Sequence, residues 1–357
     1  MAHSGTRDAT TPRRHDATTP RRLSEFVGRL QPPAATVARM DDASVDAAMA
    51  GAFLRRHFAG QPVVEVTDVE LVGEGAWSRC FGFVLDGAPM VVRFGRLVED
   101  FEKDRFAGSL RRAGLPVPTV TDVGTVGVAY VGYYAISTRV FGAPLEYLTS
   151  AQWETVMPSL FGMLDAMRSI VPPAGCGYGG WGADGVGTQP NWRSLLVSVD
   201  GDDPTDRTRG WRDRMAQSPR ASAAFRRGLE QMDVLAEALP NGERHLVHGD
   251  PVNRNILVAD GLISGVFDWG CSIWGDHLYD IALIEFWSPW YPTIDALRIW
   301  QRAKQHFGEI GLVVVDLEER IRCCLIHIGV DHIRYNAFLG DWKALDDVVD
   351  RLDPFLG

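Results

Sequence analysis

Apolar positions recur along this chain in two rhythms, and the switch between them outlines the fold. Val45, Met49, Phe53 and Leu54 fall on one face at helical spacing, which predicts a helix over 43–58 with Asp41 or Asp42 capping its start. From Val63 the rhythm shortens. Val63–Val72, Cys80–Leu85 and Met90–Phe94 are β-type runs, joined by a loop at Gly73–Ser78 and a turn at Asp86-Gly87. A helix opens at Phe101. Gly114-Leu115-Pro116-Val117-Pro118 closes it and starts an edge strand, and Val126–Val131 is expected to pair with Tyr133–Ser137. Past Pro144 the helical rhythm returns, and Trp153, Val156, Met157, Leu160, Leu164 and Met167 make a core-facing stripe. Seven glycines between Gly175 and Gly187 exclude helix and ordinary strand, so an ordered loop anchored by Tyr178 and Trp181 is expected there. Trp192 begins a further helix, 200–209 reads as a polar loop, and helices are expected over 220–239, 317–339 and 342–352.

The residues before 43 follow neither rhythm. RDATTPRR (Arg7–Arg14) is followed at once by HDATTPRR (His15–Arg22), rich in Thr, Pro and Arg, and 1–42 is expected to be a disordered low-complexity tail. At 357 residues, 46% of them hydrophobic, the rest has material for two lobes with real cores. The excess of 46 Asp and Glu over 36 Lys and Arg argues against a nucleic-acid backbone as partner and suits a cationic small molecule. An odd count of five cysteines without C-x-x-C points to a reducing cytoplasm. No apolar run approaches the roughly 18 residues a spanning helix needs, and no signal-peptide core is expected at the N-terminus. Zinc-ligand spacing and G-x-S-x-G are both absent.

The chemistry concentrates in His245–Gly270, HLVHGDPVNRNILVADGLISGVFDWG. Apolar runs on either side of Ala259-Asp260-Gly261 predict a small hairpin that holds Asp250, Asn255 and Asp268 at one end of a pocket. A carboxylate can orient an acceptor hydroxyl and take its proton. An amide oxygen and a second carboxylate are hard ligands that suit Mg²⁺. Kinase catalytic loops run H-x-D-x-x-x-x-N with D-F-G later, and His248-Gly249-Asp250 to Asn255, then Asp268-Trp269-Gly270, keep that spacing. Taken as residue types alone, the same stretch also reads as a hairpin whose Asp and Asn residues are turn formers.

The combination resembles the aminoglycoside phosphotransferase family, and within it the hygromycin B phosphotransferases, over about 43–350. Shared features are Lys103-Asp104-Arg105, the 175–187 loop with Trp192-Arg193 after it, His245–His248, Glu285-Phe286-Trp287-Ser288-Pro289-Trp290, and Ile328-Gly329-Val330-Asp331-His332. The resemblance implies a bilobal protein-kinase-like α+β fold, with a small antiparallel β lobe over 43–137, a hinge near 137–142 and a mainly helical lobe over 138–357. It implies Asp250 as catalytic base and Asn255 and Asp268 as Mg²⁺ ligands. Arg93 takes the place of the phosphate-gripping strand Lys, with Asp104 as partner and Glu102 as second choice. Gly75 and Ser78 lie in the loop over the phosphates of ATP or GTP, and backbone groups near Thr138 and Val140 meet the base. Glu285, Trp287, Trp290, Tyr178 and Trp181 are expected against the acceptor, an aminocyclitol such as hygromycin B. Glu285 and Ser288 depart from the aromatic and Arg of that family, which leaves open a different small alcohol. A nucleotide-binding pseudokinase is the reading from another class, favoured only by Arg93. A cytoplasmic monomer without membrane or nucleic-acid contacts is expected. Asp276 and Asp280 are expected to brace the catalytic loop.

Overall fold

The first lobe is built by alternation in three consecutive strands, β1 (Val66–Glu74), β2 (Ser78–Leu85) and β3 (Ala88–Gly95). In β3, Met90, Val92 and Phe94 are buried on one face, which sends Arg93 to the other. The computed structural model describes residues 45–357 except 61–64, 76, 128–131, 205 and 239–242. The repeated tail, Asp41, Asp42, Val63 and Val64 lie outside the described residues. Helix α1 (Ala47–His57) packs on the sheet through Phe53 and Leu54, and Asp46 caps it by accepting the Met49 amide at 2.7 Å. The cap is therefore a later residue than either Asp41 or Asp42.

Helix α2 (Val98–Ser109) follows, then β4 (Val120–Thr125) and β5 (Tyr133–Thr138), which complete an antiparallel sheet in the order β1-β2-β3-β5-β4. Strand β5 thus pairs with β3 and with 120–125, and of the expected partner 126–131 the residues 128–131 lie outside the described residues. Valines continue evenly from Val117 to Val131, so hydropathy gives no register. Pairing does, with Val123 opposite Ala135 and Thr125 opposite Tyr133.

A short strand β6 (Ala143–Pro144) leaves the hinge, and α3 (Ser150–Arg168) begins with a capping box in which Thr149 and Gln152 satisfy each other's amides. The expected Trp153–Met167 stripe lies in the core, with Leu164 half-buried. The glycine-rich segment is a correction. It forms β7 (Tyr178–Trp181) and β8 (Gly187–Gln189), paired with each other. The glycines allow a closer approach than side chains would. A Cβ on Gly177 would stand 2.3 Å from the Gln189 carbonyl oxygen, and one on Gly187 2.7 Å from the Gly177 oxygen.

Two short helices, α4 (Trp192–Val197) and α5 (Trp211–Met215), precede the long α6 (Pro219–Ala238). The expected hairpin is present as β10 (Ile256–Ala259) and β11 (Leu262–Val266), with Asp260 and Gly261 both at positive φ as a two-residue turn of this kind requires. Strand β10 pairs on its other edge with β6, while β9 (His245–Val247) and β12 (Ile273–Gly275) join β7 and β8 in a second small sheet. Helices α7 (Tyr279–Trp287), α8 (Ala296–Glu309), α9 (Leu317–Leu339) and α10 (Trp342–Leu356) close the lobe. Helix α9 runs through its centre and buries Cys323, Cys324, Ile326, Val330 and Ile333.

Candidate active site

Strand β9 delivers His248, Gly249 and Asp250 to the cleft, and their backbone is fixed before any side chain acts. Asp280, in the first turn of α7, accepts the amides of His248 at 2.8 Å and Gly249 at 2.9 Å. Gly249 sits at φ 79°, and a Cβ there would stand 2.3 Å from the Cys271 carbonyl oxygen, so only glycine fits. The fully buried His248 ring is clamped between the Asp250 amide, which donates to Nδ1 at 3.2 Å, and the Phe267 carbonyl, 3.0 Å from Nε2. The amide needs an acceptor, so the ring proton belongs on Nε2.

Asn255 is buried at the far end of the loop. Its Nδ2 donates to the Asp250 backbone oxygen and to Asp250 Oδ2, both at 3.0 Å. Asn253 Nδ2 adds a bond to the same Oδ2 at 3.3 Å. One carboxylate oxygen of Asp250 is therefore held, while Oδ1 accepts nothing from the described residues. Burial pushes the Asp250 carboxyl above its ordinary value, with the hydrogen bond from Asn253 pulling the other way. A partly desolvated carboxylate with one fixed and one open oxygen is a base awaiting a proton donor.

Across the cleft, Arg93 divides its guanidinium among three partners. Nη1 donates to Asp104 Oδ2 at 2.7 Å, Nη2 to Asp268 Oδ1 at 3.1 Å and Nε to Ser78 Oγ at 2.8 Å. Burial alone would lower its pKa, but Asp268 and Asp104 outweigh that and hold Arg93 firmly charged. Asp104, on α2, also accepts the Trp269 amide at 2.9 Å, and Lys103 donates to the Gly270 carbonyl at 2.8 Å. The Asp268-Trp269-Gly270 turn is thus tied to the small lobe from both sides, with Asp268 itself at φ 63°. Asp104 rather than Glu102 is the partner of Arg93, since Glu102 pairs with Arg105.

The nucleotide-side residues are partly engaged within the fold. Gly75 donates its amide to the Ser78 carbonyl at 2.9 Å, closing the β1–β2 turn, and the Ser78 hydroxyl accepts from Arg93 Nε. The Gly75 amide is therefore spent on the turn, while the Ser78 hydroxyl keeps its own proton to donate. Thr138 donates its amide to the Thr119 carbonyl and accepts the Thr119 amide on its hydroxyl, both at 3.0 Å, so its backbone donor is taken. Val140 lies against Gly265, beside the hinge.

On the acceptor side, the Glu285 carboxylate takes the indole N–H of Trp300, and burial raises its pKa. One of its two oxygens is thereby engaged in packing, and the residue is half-buried. Trp287 and Trp290 are half-buried with ring centroids 5.1 Å apart, and Trp287 meets the His332 ring at 4.7 Å. Tyr178 and Trp181 are only 6% and 3% exposed, because strand pairing turned both into core. Neither offers a ring face to a ligand. Trp181 instead packs on Phe106, with Lys103 above its ring at 5.5 Å.

Three participants carry no sequence signal of their own. Asp100 reads as an ordinary acidic residue in a first helical turn, yet it is buried and takes Arg207 through both oxygens, at 2.9 and 3.3 Å. Arg207, from the 200–209 loop, also lies 5.5 Å from the Trp77 ring in the β1–β2 turn. Glu146, just past the hinge, accepts the Arg254 amide at 2.6 Å.

Among the described residues no group of three His, Cys, Asp or Glu side chains could hold a metal. Asn255 and Asp268 nevertheless fit Mg²⁺. Asn255 has turned its amino group to Asp250, which leaves its side-chain oxygen without a hydrogen-bond partner among the described residues, and Asp268 is partly exposed. Two hard oxygen donors completed by phosphate oxygens and water are a Mg²⁺ donor set, since that ion is seldom enclosed by protein alone.

The family model described as the phosphotransferase enzyme family matches residues 68–311. The hygromycin-B 4-O-kinase of Escherichia coli is 29% identical over 293 residues, which cover 82% of this chain and 81% of that protein. The crystal structure of aminoglycoside phosphotransferase APH(4)-Ia superposes with a TM-score of 0.74 at 26% identity, covering 87% of this chain and 98% of that one. A thermostable mutant of it in ternary complex with AMP-PNP and hygromycin B gives 0.72 at 27% identity, covering 86% and 97%. The GDP complex of aminoglycoside 2'-phosphotransferase-IIIa, 14% identical with a TM-score of 0.59 over 87% of this chain and 99% of that one, shares the fold.

Proposed function

Because this chain belongs to the phosphotransferase enzyme family, we propose that it transfers the γ-phosphoryl group of ATP or GTP, with Mg²⁺, to a hydroxyl of an aminocyclitol such as hygromycin B. The observation that carries this reading is the half-buried Asp250 carboxylate, with Oδ2 held by Asn255 and Oδ1 open. Asp250 orients the acceptor hydroxyl and takes its proton. Arg93, charged and aimed by Asp104 and Ser78, meets the phosphates, and the lobe up to about residue 137 holds the nucleotide with Val140 at the hinge. Mg²⁺ held by Asn255 and Asp268 supplies neutralisation of phosphate charge. The loose transition state of phosphoryl transfer asks for positioning and charge more than covalent help, which suits a site made of fixed polar groups.

Trp287 and Trp290 offer apolar ring faces to the acceptor. Five free cysteines support a reducing cytoplasm as the place of action, and no helix among the described residues is long and apolar enough to cross a membrane.

A second acceptor reading has its own observation. Glu285 is held by Trp300, so the carboxylate expected to meet an ammonium group is engaged elsewhere. A different small alcohol is the alternative substrate. The test is Mg²⁺-dependent release of ADP or GDP, with hygromycin B screened beside other aminoglycosides and common metabolite alcohols. Stimulation by hygromycin B supports the first reading. Turnover with another alcohol alone supports the second, and nucleotide binding without any turnover removes both.

A further inference from the structure

Glu146 stands outside every catalytic motif, yet it is among the most deeply buried carboxylates of the molecule, 4% exposed. It lies in a single 3₁₀ turn, Leu145–Tyr147, directly after β6. Its Oε1 accepts the Arg254 amide at 2.6 Å, while Oε2 is buried with no hydrogen-bond partner. Burying a carboxylate with one oxygen orphaned is costly, and packing alone gives no reason for it. The group it serves is unusual too. Arg254 is held at φ 63°, a backbone conformation that a long side chain rarely adopts, and it lies between Asp250 and Asn255.

The surroundings make this bond the meeting point of two elements. Strand β6 pairs with β10, Pro144 opposite Leu257 and Ala143 opposite Val258, so the hinge exit and the end of the catalytic loop already run side by side. Asp280 fixes the start of the loop through His248 and Gly249, and the Tyr291 hydroxyl holds the Val252 carbonyl at 3.1 Å. Among the described residues, Glu146 is the side chain that bonds the Arg254 backbone, in the last turn before Asn255.

We propose that Glu146 is a positioning residue for phosphoryl transfer: its Oε1 holds the Arg254 peptide in its left-handed conformation, and so sets the spacing of Asp250 and Asn255. This rests on the role given to Asp250 above. The acceptor oxygen at that place is what matters, and the negative charge is not.

The test is steady-state kinetics of the full chain with nucleotide, Mg²⁺ and the alcohol that it turns over, comparing wild type, Asp250→Asn, Glu146→Ala, Glu146→Asp and Glu146→Gln. Glu146→Asp keeps the charge but withdraws the oxygen, and Glu146→Gln keeps an oxygen but removes the charge. The expected result is a kcat lowered about tenfold to a hundredfold in Ala and Asp, with nucleotide KM unchanged, and most of kcat retained in Gln. Should Glu146→Ala fail to fold, the Asp and Gln variants decide. A folded Glu146→Asp protein with wild-type kcat, or a Gln variant as slow as the Asp one, overturns the proposal. Equal turnover by wild type and Asp250→Asn would instead overturn the role of Asp250.

Discussion

Asp280 and Glu285 lie on the same helix, one in its first turn and one near its end, and their carboxylates serve different purposes. Asp280 receives two backbone amides from the segment that carries Asp250. Glu285 receives an indole from α8 and, through its carbonyl, a guanidinium N–H from Arg351 at 2.9 Å. The first end of the helix aligns a loop whose geometry is fixed by backbone bonds. The second end is a wall whose polar group is consumed in packing. The difference teaches that the loop carrying Asp250 is fixed through main-chain geometry, while the far end of the same helix is fixed through side-chain packing.

The sharpest way to break that contrast is Asp250→Asn, which keeps the shape and the Asn255 contacts but removes the base. Turnover should fall by about a hundredfold to ten-thousandfold with the thermal melt unchanged, and a variant that keeps its rate would end the distinction. Next is Arg93→Ala. It leaves Asp104 buried without its cation and should cost about 3–5 kcal/mol in a urea melt, together with weaker nucleotide binding in a calorimetric titration. Glu285→Gln should do far less, because an amide oxygen still accepts the Trp300 indole. An acceptor KM within about threefold of wild type is expected, and a larger rise would show the carboxylate meeting substrate after all.

The smallest effect concerns pH. Burial raises the Glu146 carboxyl from 4.5 to about 7, against the pull of the Arg254 amide. Ionising it is harder in the folded chain than in the unfolded one, so this group costs the wild type stability as pH rises from about 4.5 to about 7. Glu146→Gln has no proton to lose. Its melting temperature relative to wild type should be higher at about pH 8 than at about pH 5, and a constant difference would contradict the burial effect.

The catalytic stretch was legible because its requirements are local. Asp250, Asn255 and the Asp260-Gly261 turn are fixed by spacing and by backbone conformations that few residues adopt, and both leave a mark in the order of residues. The closing helices were legible for the same reason, since a helical stripe is a short-range pattern. Helix α9 spans the expected 317–339, and α10 runs only slightly past its expected end. What stayed hidden depends on pairing. Tyr178 and Trp181 looked like loop anchors because glycine density argues against strands. In the fold, glycine is what lets two strands of that segment approach. The valine-rich stretch after Pro116 could not reveal which residues pair with β5. Asp100, Arg207 and Glu146 find their partners across long separations that no local pattern records.

Arg93 and Asp268 stand 175 residues apart along the chain, and Lys103 and Gly270 stand 167 apart. Closing loops of that length sacrifices chain entropy, and contacts of such separation form slowly. Each lobe can complete its own sheet or helices before these contacts exist. These contacts between the lobes are therefore expected among the last to form during folding. A chain caught short of that step would already possess most of its secondary structure, but Arg93 would still lack Asp268, the partner that the other lobe supplies.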